Sequence, residues 1–177
     1  NFIGCDQLIL IGADKSSDAF LKFFNSDGGE SGACGNGTRC VADFISKEKK
    51  DKTIILKTLS GNLKSEILGN NIVTTEIGKA KIEWNEIPLL EKLNTKNLNI
   101  KINDKNNKEY VGGTAVNVGN PHIIFFVNKI DNFDIKKIGP NIENHKIFPE
   151  RCNVTIAQIV DENLIKVKVW ERGAGLT

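Results

Sequence analysis

Short apolar runs separated by polar turns fill the first part of the chain, a pattern that predicts strands. Gln7 to Ile11 and Phe20 to Phe24 flank the polar turn Ala13 to Asp18 and read as a hairpin. The period then changes. After a loop from Asn25 to Gly37, Val41, Phe44 and Ile45 recur at helical spacing. Lys47 to Lys50 close that helix with cations, which suit a helix C-terminus. Ile54 to Leu59 and Leu63 to Leu68 around Ser60-Gly61-Asn62 predict a second hairpin, and Ile72 to Ile77 one more strand.

A polar, weakly patterned stretch follows from Gly78 through Glu109, with Pro88 and many asparagines. A domain boundary is expected near Gly78 to Ala80, giving domains 1–79 and 80–177. Val111 to Val118 and His122 to Val127 read as strands around Gly119-Asn120-Pro121, and Phe133 to Ile138 as a short helix. Cys152 to Val160 and Leu164 to Trp170 form a last hairpin around Asp161-Glu162-Asn163.

This last hairpin repeats the first. The interval from Cys5 to Asn25 matches that from Cys152 to Glu171 to within one residue, which suggests an internal duplication. In the first copy a cysteine, Cys34, follows Asn25 in a glycine-rich loop. The duplication then places a second such loop just past Thr177. The chain starts at Asn1 without methionine and stops inside a glycine-rich turn, so further sequence is expected at both ends.

Composition narrows the function classes. At 177 residues the chain can hold one ordinary domain or two small ones around a real core. With 40% hydrophobic and 26% charged residues it has the make-up of a soluble globular protein. A net charge of +2, with lysine and arginine scattered, gives no reason to expect nucleic acid or a membrane surface as partner. No apolar run approaches a membrane span, and Asn1 to Leu10 lack the form of a signal peptide. The 4 cysteines show no CxxC or Cys/His cluster, so no metal site is expected. Reduced thiols in the cytosol are the default.

The chemistry concentrates in Gly32-Ala33-Cys34-Gly35-Asn36-Gly37-Thr38-Arg39-Cys40. Glycines on both sides of a thiol allow close approach of the backbone to a ligand. The N–H groups of Gly35, Asn36 and Gly37 open a helix, whose positive end attracts anions and favours thiolate over thiol. The turn is not a phosphate loop, because Thr38-Arg39 replaces the required Lys-Ser/Thr. Nor is it a dinucleotide fingerprint, because Cys40 occupies the third glycine position. Glycine-rich neighbours favour a reactive Cys34 over a small buried hydrophobe. Cys5, Cys40 and Cys152 read as structural. Gln7 opens the first strand, and Asn25, Asn36, Asn120 and Asn153 stand at strand ends or turns, where asparagine also serves its own backbone. Glu171-Arg172 ends a strand at a glycine loop and suits an ammonium and a carboxylate, or a solvated surface pair. His122 is a possible base, with a structural, hydrogen-bonded role the simpler reading, and His145 has no evident partner.

Together these residues resemble the diaminopimelate epimerase family. The likeness runs through Gly4-Cys5-Asp6-Gln7, Phe24-Asn25-Ser26-Asp27-Gly28, Ala33 to Cys40, Gly119-Asn120-Pro121-His122, Phe148 to Asn153 and Trp170 to Gly175. The resemblance implies an α/β (α+β) fold of two pseudo-symmetric domains, each a sheet wrapped around a central helix, with the active site in the cleft between them. It implies cofactor-independent epimerisation of LL- to meso-diaminopimelate in lysine and cell-wall precursor synthesis, in the cytoplasm and by a homodimer. It assigns Cys34 as one of two proton-transferring cysteines, and Gly35 and Asn36 as donors to the reacting carboxylate. Gln7, Asn25, Asn120, Asn153, Glu171 and Arg172 match substrate-contacting positions. An N-terminal segment and the second cysteine, in a Cys-Gly-x-Gly loop, are expected outside these residues, so the chain alone is expected to be inactive. Two alternatives stay open: a proline or hydroxyproline racemase of the same fold, and a non-catalytic amino-acid-binding protein.

Overall fold

The hairpin expected from the first apolar runs is present in the computed structural model, which describes Gly4, Cys5 and residues 7–32 and 34–177. Asp6 and Ala33 of the motifs above lie outside the described residues. Strands β1 (Gln7–Gly12) and β2 (Ala19–Asn25) pair antiparallel from Gln7↔Asn25 to Gly12↔Phe20. β3 (Glu30–Ser31) folds back onto the end of β2. Helix α1 (Gly35–Lys49) follows, then β4 (Thr53–Thr58), β5 (Gly61–Gly69) and β6 (Ile72–Thr75). The sheet runs β1-β2-β4-β5-β6, with β2 and β4 parallel and α1 between them in sequence, as a parallel pair requires a crossover.

The sheet curls around α1. Period-two alternation turns Ala19, Leu21 and Phe23 of β2 and Ile54 and Leu56 of β4 onto the helix, where Val41, Ala42 and Ile45 meet them. Burying each large apolar side chain there stabilises the fold by about 1.5–3 kcal/mol. The buried stripe of α1 is Thr38, Val41, Ala42 and Ile45, spaced i, i+3, i+4, i+7. Phe44 and Cys40 fall on the opposite face and are exposed, so neither serves the core as the sequence pattern suggested. Cys5 is also exposed, because β1 begins only at Gln7. The helix ends at Lys50, which takes the left-handed conformation at φ 58. In its last turn Lys47 bonds Asp43 at 2.6 Å and Lys49 bonds Asp18 at 2.5 Å.

The chain divides into two compact units, Asn1–Lys79 and Ala80–Thr177. The second unit contains a hairpin of β7 (Ile100–Asn103) and β8 (Glu109–Gly112). Then come β9 (Thr114–Asn117), β10 (Pro121–Phe126), a 3-10 turn (Ile130–Asn132) and α2 (Ile135–Glu143). β11 (Asn153–Asp161), β12 (Leu164–Glu171) and β13 (Gly175–Leu176) complete it. The sheet order is β13-β12-β11-β10-β9, with β10 and β11 parallel.

Three expectations are corrected here. The polar stretch before Glu109 carries β7 and buries Ile87, Leu89, Ile100 and Ile102 in the core, because those few apolar residues are the ones turned inward. Val111 to Val118 is two strands, broken at Gly113, whose φ of +101 is a left-handed value that L side chains rarely adopt and that interrupts the extended backbone. The short helix runs from Ile135 to Glu143, starting where the Asp134 carboxylate accepts the Lys136 N–H at 3.1 Å and caps it. The first and last hairpins share one device: β13 returns antiparallel on β12 as β3 does on β2.

Candidate functional site

In the first unit the reactive-looking cysteine occupies the N-cap of α1. Cys34 is extended (φ −145, ψ 101), its carbonyl accepts the Thr38 N–H at 2.9 Å, and its Sγ accepts the Gly37 N–H at 3.3 Å. That bond is one a thiolate accepts better than a thiol. The Thr38 hydroxyl adds a bond to the Cys34 carbonyl at 2.7 Å and fixes the turn. Gly35 and Asn36 open the helix with N–H groups that no earlier turn can accept. The Asn36 side-chain oxygen takes a hydrogen bond from the Arg39 guanidinium. A Cβ at Gly37 would lie 2.5 Å from Ile9 Cδ1 and 3.2 Å from Cys34 Sγ, so a larger residue there would have to turn the end of Ile9 aside.

Ile9 and Phe23 are register partners, and so are Gln7 and Asn25, two residues on and therefore on the same sheet face. The helix start that packs on Ile9 and Phe23 thus shares its face with Gln7 and Asn25. The Gln7 amide donates to Asn25 Oδ1 at 3.0 Å. All five expected residues of this unit stand at one end of the sheet beside the α1 N-terminus.

In the second unit the expected residues gather at the ends of three neighbouring strands. His122 on β10 is the register partner of Asn153 on β11, and Glu171 and Arg172 leave β12 one step beyond Trp170, the partner of Val154. Asn120 lies in the turn before β10. Asn153 is buried, and its Oδ1 accepts the Arg172 backbone N–H at 2.9 Å. His122 Nε2 lies 2.8 Å from Asn120 Oδ1 and 3.1 Å from Asn153 Nδ2. One ring nitrogen can donate to Asn120 or accept from Asn153, not both, so the tautomer decides which amide is held. Burial, with the Arg172 guanidinium second, pushes the His122 pKa down to about 4, so the ring is neutral at pH 7. Arg172 Nη1 donates to the Glu150 carbonyl at 2.6 Å, using one of its five donors. Glu171 Oε1 accepts from the Thr177 hydroxyl at 3.3 Å.

Cys152 is the structural thiol the sequence suggested. It is fully buried, its Sγ faces the Ile142 carbonyl at 3.6 Å, and burial together with Glu143 pushes its pKa up to about 12. Sequence reasoning missed Glu143, a buried acid that bonds Arg151, Trp170 and Gly173. The signal was present: Ile135, Ile138, Gly139, Ile142 and Glu143 form one buried stripe of α2, and an acid on such a stripe must be answering donors. Among the described residues no helix is long and apolar enough to cross a membrane.

A family model described as diaminopimelate epimerase matches residues 1–83 and 114–177. The diaminopimelate epimerase of Pelagibacter ubique (strain HTCC1062) is 66% identical over 177 residues, 100% of this chain and 65% of that protein. The corresponding protein of Acidiphilium cryptum (strain JF-5) is 42% identical over 175 residues, 99% of this chain and 61% of its own length. The chain thus spans slightly less than two thirds of these relatives. Among solved structures, a hydroxyproline epimerase from Agrobacterium vitis with bound trans-4-hydroxy-L-proline superposes with a TM-score of 0.56 at 13% identity, over 96% of this chain and 53% of that one. At that identity the likeness concerns the fold alone: sheets curled around a helix.

Proposed function

The chain belongs to the diaminopimelate epimerase family, and on that premise we propose that the whole protein converts LL-2,6-diaminopimelate to meso-diaminopimelate without a cofactor. The observation that carries the reading is the thiol of Cys34 at the N-cap of α1, accepting the Gly37 N–H at 3.3 Å. An α-proton is weakly acidic, so the charge that develops on the carboxylate as the C–H bond breaks needs preorganised donors. The Gly35 and Asn36 N–H groups supply them at the positive end of the helix.

In this reading the Cys34 thiolate takes the α-proton and becomes a thiol, while a second thiol gives a proton to the opposite face; the reverse reaction exchanges the roles. Cys152 is unsuited to that second role, being fully buried with its pKa pushed up to about 12. The partner is assigned to a Cys-Gly-x-Gly loop following Thr177 in the whole protein, so the 177 residues alone are expected not to turn over. Glu171 answers the substrate ammonium and Arg172 a carboxylate, while Gln7, Asn25, Asn120 and Asn153 read the remaining amino-acid groups. Lysine and cell-wall precursor synthesis, a cytoplasmic setting and a homodimer follow from the same family reading.

The test is solvent deuterium uptake at the α-carbon of diaminopimelate, catalysed by the whole protein and by its Cys34→Ala variant. Uptake should be lost in the variant, by orders of magnitude. Equal uptake by both would remove Cys34 from the mechanism, and uptake into proline instead of diaminopimelate would replace the substrate.

A further inference from the structure

Glu143 is the last residue of α2 and is only 6% exposed. Both its oxygens are engaged. Oε2 accepts the Trp170 indole N–H at 2.7 Å, and Oε1 accepts the Gly173 backbone N–H at 3.0 Å and Arg151 Nη1 at 3.2 Å. A buried carboxylate is costly unless hydrogen-bonded, and this one is bonded three times. Two of the donors, Trp170 and Gly173, immediately flank Glu171-Arg172. The third, Arg151, stands two residues before Asn153, whose own side chain holds the Arg172 N–H. One side chain therefore ties the end of α2 to both edges of the dipeptide that meets the ligand.

We propose that Glu143 is a positioning residue that fixes the direction in which Glu171 and Arg172 present their charges to the amino-acid substrate; this rests on the function proposed above. The chemistry demands a carboxylate. Glutamine has the same shape but only one acceptor oxygen, so its amide N–H groups would oppose either the Trp170 indole N–H or the Gly173 and Arg151 donors. Removing the indole donor should relieve that conflict. Hence Trp170→Phe is expected to restore part of what Glu143→Gln loses.

The experiment compares the whole protein with its E143Q, W170F and E143Q/W170F variants, below the melting temperature of each. It measures the Kd for diaminopimelate by calorimetry, amide hydrogen exchange at Arg172 and Gly173, and the alkylation rate of Cys34. E143Q should weaken binding about tenfold and speed the two amides, with the double variant recovering toward wild type. Cys34 alkylation should not change. A folded E143Q with wild-type Kd, or with wild-type exchange at Arg172 and Gly173, would overturn the proposal. If wild type itself does not bind diaminopimelate, the proposed function fails, and positioning is decided by the two amides alone. If E143Q does not fold, W170F decides: it keeps the carboxylate, removes one tie, and should weaken binding by about threefold. An unchanged Kd in W170F would then overturn it.

Discussion

Replacing Gly139 with alanine sets two physical rules against each other. Gly139 lies inside α2, where alanine is favoured over glycine by about 1 kcal/mol. A Cβ at this position would overlap Trp170 Cγ, lying 2.5 Å from its Cδ2 and 2.8 Å from its Cβ. The far end of a flexible side chain could yield, but these atoms are the root of an indole. Its Nε1 is tied to Glu143 at 2.7 Å, and its backbone is held between β11 and β13. Relief requires β12 or α2 to move, and overpacking of that kind costs roughly 1–3 kcal/mol. The upper part of that range applies, so the net effect is a loss of about 1–2 kcal/mol. For a chain of this length that lowers Tm by about 3–6 °C. Thermal unfolding followed by tryptophan emission measures it. A second variant makes the argument sharper: with Trp170→Gly already in place, which removes both the Cβ and the Cγ that a new Cβ would meet, G139A should stabilise, because only the helix preference remains. A Tm raised or unchanged by G139A in the wild-type background would refute the packing argument.

Two further outcomes are expected. Cys152, fully buried with its pKa pushed up to about 12, should resist iodoacetamide in the native protein while the exposed Cys5 and Cys40 react; peptide mass spectrometry that finds Cys152 labelled as fast as Cys40 would contradict its placement. His122 should make stability depend on pH: its folded pKa of about 4 lies below the ordinary 6.5, so the unfolded chain binds more protons between these values. Its contribution is complete above the unfolded value and is lost as pH falls toward 4, a change of about 3 kcal/mol. Urea unfolding of wild type and His122→Gln should therefore show a shallower slope in the variant over that window. Identical slopes would remove His122 as the cause, since His145, also lowered by burial, is common to both proteins.

Much of the first unit was legible because its signals are local. Turn residues between apolar runs mark β1, β2, β4 and β5, and the glycines around Cys34 mark the start of α1. Phe44 misled because two helical faces carry apolar residues, and only the sheet decides that Ala42 rather than Phe44 is buried. β7 was hidden by its setting, since two inward isoleucines among lysine and asparagine give no clear period. The bonds within the second cluster were not legible at all. That Asn153 holds the Arg172 N–H depends on the register of β11 against β12, and that Glu143 reaches Gly173 depends on where α2 packs.

The two clusters differ in kind, and the difference bears on division of labour. The first offers a thiol and neutral donors: the α1 N-terminus and the Gln7–Asn25 amide pair. Such groups stabilise the charge that builds up on a carboxylate during reaction. The second offers an acid and a half-buried guanidinium, the guanidinium held by the Glu150 carbonyl and its backbone N–H by Asn153. On the function proposed above, fixed charges of that sort would bind a zwitterionic amino acid before any bond breaks, and their worth would lie in selection. Variants at Arg172 should therefore raise KM chiefly, while variants at Cys34 should lower kcat chiefly. Loss of kcat alone on Arg172→Lys, with KM unchanged, would show that the guanidinium acts on the transition state, and the division of labour would have to be abandoned.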